Sequence, residues 1–281
     1  MSPRYEEFAP PPALAAHVHC LWLFEGEEAG IEQAVPPDGR PELIVHVGTP
    51  YEEQDADGGW QTQPKLLFAG QLTRPLVLRS RGAVSVLGMR FTPAGAWAFV
   101  GRALSSCTDR RLALAELHGD AEAGEFGDAL DRAGALAGVD AAASARRDAA
   151  SAYVARQVAR HGGRRDAAVE RCVAVLQASE GRVPLAELTA ASGLGERQLQ
   201  RRFAEVVGIS PRALAGVIRL RRVFAALREA PLATWSERAQ AAGFFDHPQM
   251  ARDFRRLIGK TPTRWAKAGP GLAVSLADAD A

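Results

Sequence analysis

Lysine, cysteine and long apolar runs are all scarce in this 281-residue chain, and each scarcity closes off a class of protein. Three cysteines, Cys20, Cys107 and Cys172, are odd in number and far apart, which gives neither a disulfide framework nor a CxxC metal clip. Buried thiols in a reducing compartment are the expectation. No apolar run approaches the ~18 residues of a membrane span. The N-terminal MSPRYEEFAPPP is acidic and proline-rich, unlike a secretory signal, so a cytoplasmic chain with no membrane partner is expected. Nothing reads as a nucleophile beside a base, a phosphate-cradling loop or a carboxylate pair, so no enzymatic activity and no cofactor are expected. Lysine is nearly absent: Lys65, Lys260 and Lys267 are the only lysines among 34 basic residues.

What is present is unevenly distributed. The net charge of +1 hides 17 Lys/Arg against 10 Asp/Glu over residues 166–267, and 17 against 21 over residues 1–165. A basic C-terminal module behind a mildly acidic N-terminal one points to a polyanionic partner. The length suits two domains, each with its own core.

Residues 1–115 read as β-rich. HVHCLWLFE (17–25) is apolar on both faces, as a buried strand is, and PELIVHVG (41–48) puts Leu43, Val45 and Val47 on one face. Two more strands, 75–82 and 83–91, part at Gly82; 52–64 reads as a polar loop and 94–104 as a short helix. A barrel or sandwich is expected, serving as a sensor domain. Residues 116–163 form an alanine-rich helical connector that relays or dimerises, closed by HGG at 161–163. Residues 164–268 are nearly all helix, and 269–281 form a short acidic tail beginning GPG. The expected class is α+β.

One phrase occurs twice in the helical part. GERQLQRRFAEVVGISP (195–211) and FDHPQMARDFRRLIGKTP (245–262) align with Arg201 on Arg252, Phe203 on Phe254, Gly208 on Gly259 and Pro211 on Pro262, a separation of 51 residues. Each follows a short helix and a glycine, Gly193 or Gly243, which is the plan of a helix-turn-helix whose second helix enters the major groove. Thr234 with Glu237 has capping-box spacing, and Asp246 is a candidate N-cap. Leu199 with Phe203, and Met250 with Phe254, must face the core. Arg197, Gln200 and Arg201 in the first copy, and His247, Gln249 and Arg252 in the second, then project outward. Arginine pairs bidentately with guanine and glutamine with adenine, so these six are the candidate base readers. Arg202, Arg255 and Arg256 are placed as phosphate contacts, which position without specifying. The intervening helix from Pro211 spans roughly 27 Å at 1.5 Å per residue, and with the widths of the flanking turns added the two helices are expected to sit ~34 Å apart, in successive grooves.

These two stretches, together with Gly243-Phe244 and Thr261-Pro262, resemble the DNA-binding domain of the AraC/XylS family of bacterial transcription regulators over residues 166–268. The resemblance implies double-stranded promoter DNA as partner, with RNA polymerase and a second copy of the chain as further partners. VPPDGRPELIVHVG and FAGQLTRPLVLRSRG resemble a sensor-type domain found ahead of such modules, with no ligand implied. Two departures stand out: Gly195 replaces the serine-like cap the family favours, and Arg238 occupies a position that is apolar in the family and Leu188 in the first copy. A buried unpaired guanidinium is costly, so Arg238 is expected to snorkel outward or to find an acidic partner.

In the N-terminal part, Asp38, Arg40 and Glu42 at a polar turn, with Trp22, are the candidate effector contacts. His17, His19 and His46 raise the alternative of a metal- or ligand-processing cupin-like barrel enzyme fused to a DNA-binding module. Their spacing to Glu25 does not fit the cupin pattern, so they read as strand histidines and no metal site is expected. An alkyl-accepting DNA-repair enzyme would need a Pro-Cys-His-Arg setting, which none of the cysteines has.

Overall fold

The structure is a computed structural model describing residues 3–27, 30–230 and 233–268. The acidic tail expected over 269–281, and Pro231, which the sequence suggests as a helix stop, lie outside those residues.

The N-terminal half pairs two antiparallel sheets. The larger takes β1 (Arg4–Phe8), β2 (Val18–Glu27), β4 (Glu42–His46), β7 (Leu66–Ala69), β9 (Ala83–Phe91) and β10 (Arg111–Ala113) in the order β1-β2-β9-β4-β7-β10. The smaller takes β3 (Glu32–Val35), β5 (Glu52–Gln54), β6 (Trp60–Thr62) and β8 (Leu76–Arg79) in the order β3-β8-β5-β6. Side chains alternate across a strand, and here both faces of the larger sheet are covered. Leu21, Leu43, Val45, Leu87 and Met89 enter the main core, while Cys20, Trp22, Phe24 and Val86 form a second cluster toward the smaller sheet. That double burial is why 17–25 is apolar on both sides. Trp22 lies opposite Gly88, where a Cβ would come within 2.0 Å of the indole, so the glycine makes room for the ring.

The strands expected on either side of Gly82 form, but in different sheets. The stretch read as a polar loop, 52–64, is instead the β5–β6 hairpin. Its turn is closed by Asp55, whose Oδ1 accepts from the amides of Asp57 and Gly59 at 2.9 and 2.7 Å. Its polarity reflects an ion-paired rather than apolar inner face: Glu52 is buried and accepts from Arg79 Nε at 2.7 Å.

The expected helix after Pro93 is one turn, α1 (Ala96–Val100), stopped by Gly101 at φ +74° and followed by a 3-10 turn, Leu104–Ser106. A Cβ on Gly101 would come within 2.3 Å of the His161 ring, so the close packing of the two chain segments requires glycine there. Next come α2 (Leu114–His118), α3 (Asp120–Gly134) and α4 (Val139–Arg160). Phe126 of α3, and Tyr153, Val154 and Val158 of α4, share the main core with the larger sheet, and Phe126 stacks on Tyr153 at 4.2 Å.

The C-terminal part is α5 (Ala167–Ala178), α6 (Leu185–Ser192), α7 (Glu196–Val206), α8 (Pro211–Glu229), α9 (Trp235–Ala241), α10 (His247–Ile258) and α11 (Pro262–Ala268). It holds two cores. Val169, Leu176, Leu188, Leu199, Phe203 and Leu214 form the first; Val217, Leu220, Phe224, Met250, Phe254 and Leu257 form the second. Helix α8 serves both, its first turn facing one core and its later turns the other. All three cysteines are buried free thiols, as expected. Among the described residues no helix is long and apolar enough to cross a membrane.

Candidate nucleic-acid interface and sensor cavity

Each repeat folds as a short helix, a left-handed glycine and a second helix. Gly193 at φ +70° separates α6 from α7, and Gly243 at φ +77° separates α9 from α10. These φ values are ones that residues with a Cβ rarely adopt. The second helices are strongly two-faced. Leu199 and Phe203 of α7, and Met250 and Phe254 of α10, are fully buried. Arg197, Gln200 and Arg201 are exposed on the opposite side of α7, as are Arg252, Arg255 and Arg256 on α10, while His247 and Gln249 are half-buried.

Several of these side chains have local partners. Gln200 Nε2 donates to Glu196 Oε1 at 3.1 Å. Gln249 Oε1 accepts from the Phe245 amide at 2.9 Å, and Arg256 Nη2 lies 3.4 Å from Asp253. Arg202 differs most from its expected place: its Nε and Nη2 reach Asp166 Oδ2 at 2.6 and 2.5 Å. Asp166 is 3% exposed and also caps α5 through the amides of Ala168 and Val169. Arg202 therefore ties α7 to the start of α5.

The starts of the two second helices differ. Asp246 accepts from the Gln249 amide at 2.6 Å, as its sequence position suggests, whereas Gly195 offers α7 no side-chain cap. Thr234 and Glu237 complete the expected capping box on α9. Arg238 corrects its expectation of snorkelling outward: it is 8% exposed, its Nη2 donates to the Ala230 carbonyl at 3.2 Å and its guanidinium lies 5.1 Å over the Trp235 ring. Ala230 ends α8, where outward-facing carbonyls favour a cation.

Between the two sheets lies a cavity of about 150 Å³. All four candidate effector contacts, Trp22, Asp38, Arg40 and Glu42, line it. At one end Arg90 Nε donates to Glu42 Oε1 at 2.8 Å, and Trp22 Nε1 to the same oxygen at 3.1 Å. Glu7 and Asp38 also face Arg90, at 3.3 and 3.6 Å. Burial pushes the Glu42 carboxyl above its usual range, against the pull of Arg90 and reinforced by Asp38. At the other end His46 is fully buried, its Nε2 3.2 Å from Gln63 Oε1, and burial lowers its pKa to about 4. Arg90 and Gln63 are lining residues that the sequence reading missed, and His46, read there as a strand histidine, lines the cavity too. The signal was available, because His46 shares the period-2 face of Glu42 and Ile44. His17 and His19 lie away from this cavity, and among the described residues no three His, Cys, Asp or Glu side chains cluster as metal ligands would.

Residues 6–113 match a family described as a domain of unknown function (DUF6597), and residues 188–268 match the helix-turn-helix domain family, spanning both repeats. The C-terminal region is an AraC-type helix-turn-helix domain. The chain thus carries a DNA-binding module of the transcription-regulator type over residues 188–268. Among solved structures, an apo form of a ToxT point variant from Vibrio cholerae strain SCE256 is similar at 11% identity, over 87% of this chain and 96% of that one, with a TM-score of 0.47. Unsaturated fatty acid bound wild-type ToxT from the same strain matches at 12% identity, over 87% and 94%, with a TM-score of 0.47. A probable AraC family transcriptional regulator from Rhodopseudomonas palustris CGA009 matches at 27% identity over 38% of this chain and all of that one, with a TM-score of 0.34. No curated protein matches the chain.

Within the AraC-type domain the two repeats are braced at mid-span. Arg219 of α8 donates to the Gly181 carbonyl ahead of α6 at 2.6 Å, lies 3.7 Å from Asp253 on α10, and sits 5.1 Å over Phe244. A Cβ on Gly243, the turn of the second repeat, would come within 2.3 Å of Arg182 ahead of the first. The N-terminal half touches the AraC-type domain at several places, Ala94 and Trp97 packing against its first core among them. Thr108 Oγ1 donates to the Gly208 carbonyl at 2.6 Å; Gly39 sits where a Cβ would come within 3.0 Å of Leu214; and one on Gly259 would lie 3.3 Å from Pro75.

Proposed function

We propose that the two second helices, α7 and α10, read successive major grooves of promoter DNA in the cytoplasm. Arg197, Gln200 and Arg201 contact bases from the first, and Arg252 with His247 and Gln249 from the second. Arg255 and Arg256 contact phosphates. Arg202 is left out of that set because its guanidinium already holds Asp166. The observation that carries the reading is that both helices bury their Leu/Phe or Met/Phe pair and leave the matched Arg201 and Arg252 exposed. At 1.5 Å per residue the 19-residue α8 spans about 28 Å, and the flanking turns bring the separation to about one turn of DNA.

An effector in the cavity between the sheets modulates this binding. The 36–40 turn supports that link: Pro36, Asp38 and Arg40 line the cavity, while Gly39 on the same turn abuts Leu214 and Val217 of α8. A ligand that prefers one position of the turn shifts the population of α8 arrangements. Residues 1–115 act as the sensor, 116–163 as the connector and 164–268 as the DNA-binding part. RNA polymerase and a second copy of the chain are the further partners of such a regulator, and its role is binding rather than catalysis.

Footprinting of the full chain on genomic DNA identifies sites, and Arg201→Ala tests the reading. The variant should lose preference for those sites by roughly 10- to 100-fold while keeping weaker, salt-sensitive general binding. A variant that binds its sites as tightly as the parent would remove α7 from the base-reading role.

A further inference from the structure

The cavity carries chemical information beyond its position, and the inference here rests on the effector reading above. Its size limits the occupant: about 150 Å³ is the volume at which an apolar protein cavity takes up one benzene ring. Its walls are mostly aromatic and aliphatic, among them Trp22, Phe24, Ile44, Tyr51 and Leu78.

The walls carry Arg40, Arg90 and Arg111 beside Asp38 and Glu42, and the buried polar atom on them that lacks a hydrogen-bond partner is an acceptor. Gln63 donates its amide N–H to Glu53 Oε2 at 2.8 Å, so its oxygen is the atom that faces His46 Nε2. Nε2 therefore carries the ring proton, and Nδ1 is a bare lone pair. That Nδ1 is buried with no hydrogen-bond partner. A buried acceptor without a donor is destabilising, a cost that a ligand can recover by supplying the donor. At the opposite end three carboxylates, Glu7, Asp38 and Glu42, surround the Arg90 guanidinium. Arg111 is already held by both oxygens of Glu53, at 2.8 and 2.9 Å. With Arg90 and Arg111 already met by carboxylates, the buried lone pair of His46 Nδ1 is the group a ligand can satisfy, which a hydroxyl or amine does and a carboxylate does not.

We propose that the cavity binds a single-ring apolar molecule bearing a hydroxyl or amine group, which donates a hydrogen bond to His46 Nδ1. Phenol and toluene have nearly the same shape and differ in that donor, so calorimetry of the full chain with each isolates it. Phenol should bind roughly tenfold tighter than toluene, benzylamine should also bind, and benzoate should bind more weakly than phenol. His46→Phe keeps a ring in place but removes the acceptor, and should erase the phenol–toluene difference. Should that variant fail to fold, the nitrogen-15 shift of His46 Nδ1 in the parent decides: phenol should move it as an accepted hydrogen bond does, and toluene should not.

Equal binding of phenol and toluene, tighter binding of benzoate, an unmoved Nδ1 signal with phenol bound, or no binding at all would each overturn the assignment. DNA binding measured on the same samples separates the two readings. Lost phenol preference with intact footprints removes the ligand class alone. Phenol bound through His46 with DNA binding unchanged upholds the ligand site and removes its role as an effector switch.

Discussion

Where the first helix-turn-helix buries Leu188, the second buries Arg238; where the second starts its latter helix on Asp246, the first starts on Gly195 without a side-chain cap. The first copy compensates from outside itself. Arg202 anchors α7 to Asp166, and the 3-10 turn at Leu104–Ser106 lies against it, with Thr108 bonded to Gly208 just beyond its end. The second copy has better local signals and fewer outside supports: a capping box on α9, an N-cap on α10, and a small aromatic cluster in which Trp265 packs 5.1 Å from Phe224 and 5.8 Å from Phe254. Similar units can thus reach the same shape by different divisions of labour. One is held by its neighbours and the other by its own punctuation.

The strongest way to break that comparison is to empty each core in turn. Phe203→Ala and Phe254→Ala should each cost about 3–5 kcal/mol. Because the two apolar cores are separate clusters, with α8 contributing to both, hydrogen exchange should speed up in α9–α11 but not α5–α6 when Phe254 is cut. Equal loosening of both would show one cooperative unit. Asp166→Ala comes next, at about 2 kcal/mol: the cap contributes about 1, and the ion pair adds a portion limited by the partial solvation of Arg202. Urea unfolding should show the loss, with exchange rising at α5 and α7 and unchanged at α10.

Smaller effects sharpen the contrast. Asp246→Ala should cost about 1 kcal/mol, and Gly195→Ser should gain a few tenths, since the cap chemistry is present in one copy and missing in the other. Space at Gly195 is open, so a lost rather than gained denaturation midpoint would contradict this account. Arg238→Leu restores to the second copy the residue type of Leu188. Replacing a buried, bonded guanidinium by an apolar side chain is often neutral or stabilising, so the melting temperature should hold or rise slightly. A drop as large as that of Phe254→Ala would mean the Ala230 bond and the Trp235 contact matter more than the burial.

Much of the helical half was legible because its signals are local. Glycines at the turns, Thr234 and Asp246 at helix starts, and the paired Leu199/Phe203 and Met250/Phe254 act within one or two turns of their own helix. The β half was less so. The 52–64 hairpin escaped because its inner face is satisfied by Arg79 and Arg81, which come from residues far along the chain. Arg4–Phe8 forms an edge strand by pairing with β2, although its acidic sequence carries little strand character. Asp38, Arg40, Glu42 and Trp22 were legible as one group because three lie within five residues of one another, whereas Arg90 reaches the same cavity through sheet pairing with Glu42. Arg202 looked like a solvent-facing cation; its partner is 36 residues away in sequence.

Arg219 grips both repeats at once, and Gly243 rests on Arg182, so α7 and α10, the proposed reading heads, have little slack to adjust their pitch. Inserting one base pair between the two contacted steps would turn the far step by about 34° around the duplex axis. A chain clamped at mid-span can follow that only by bending its operator or releasing one head, so operators for this protein should tolerate changed letters far better than changed spacing.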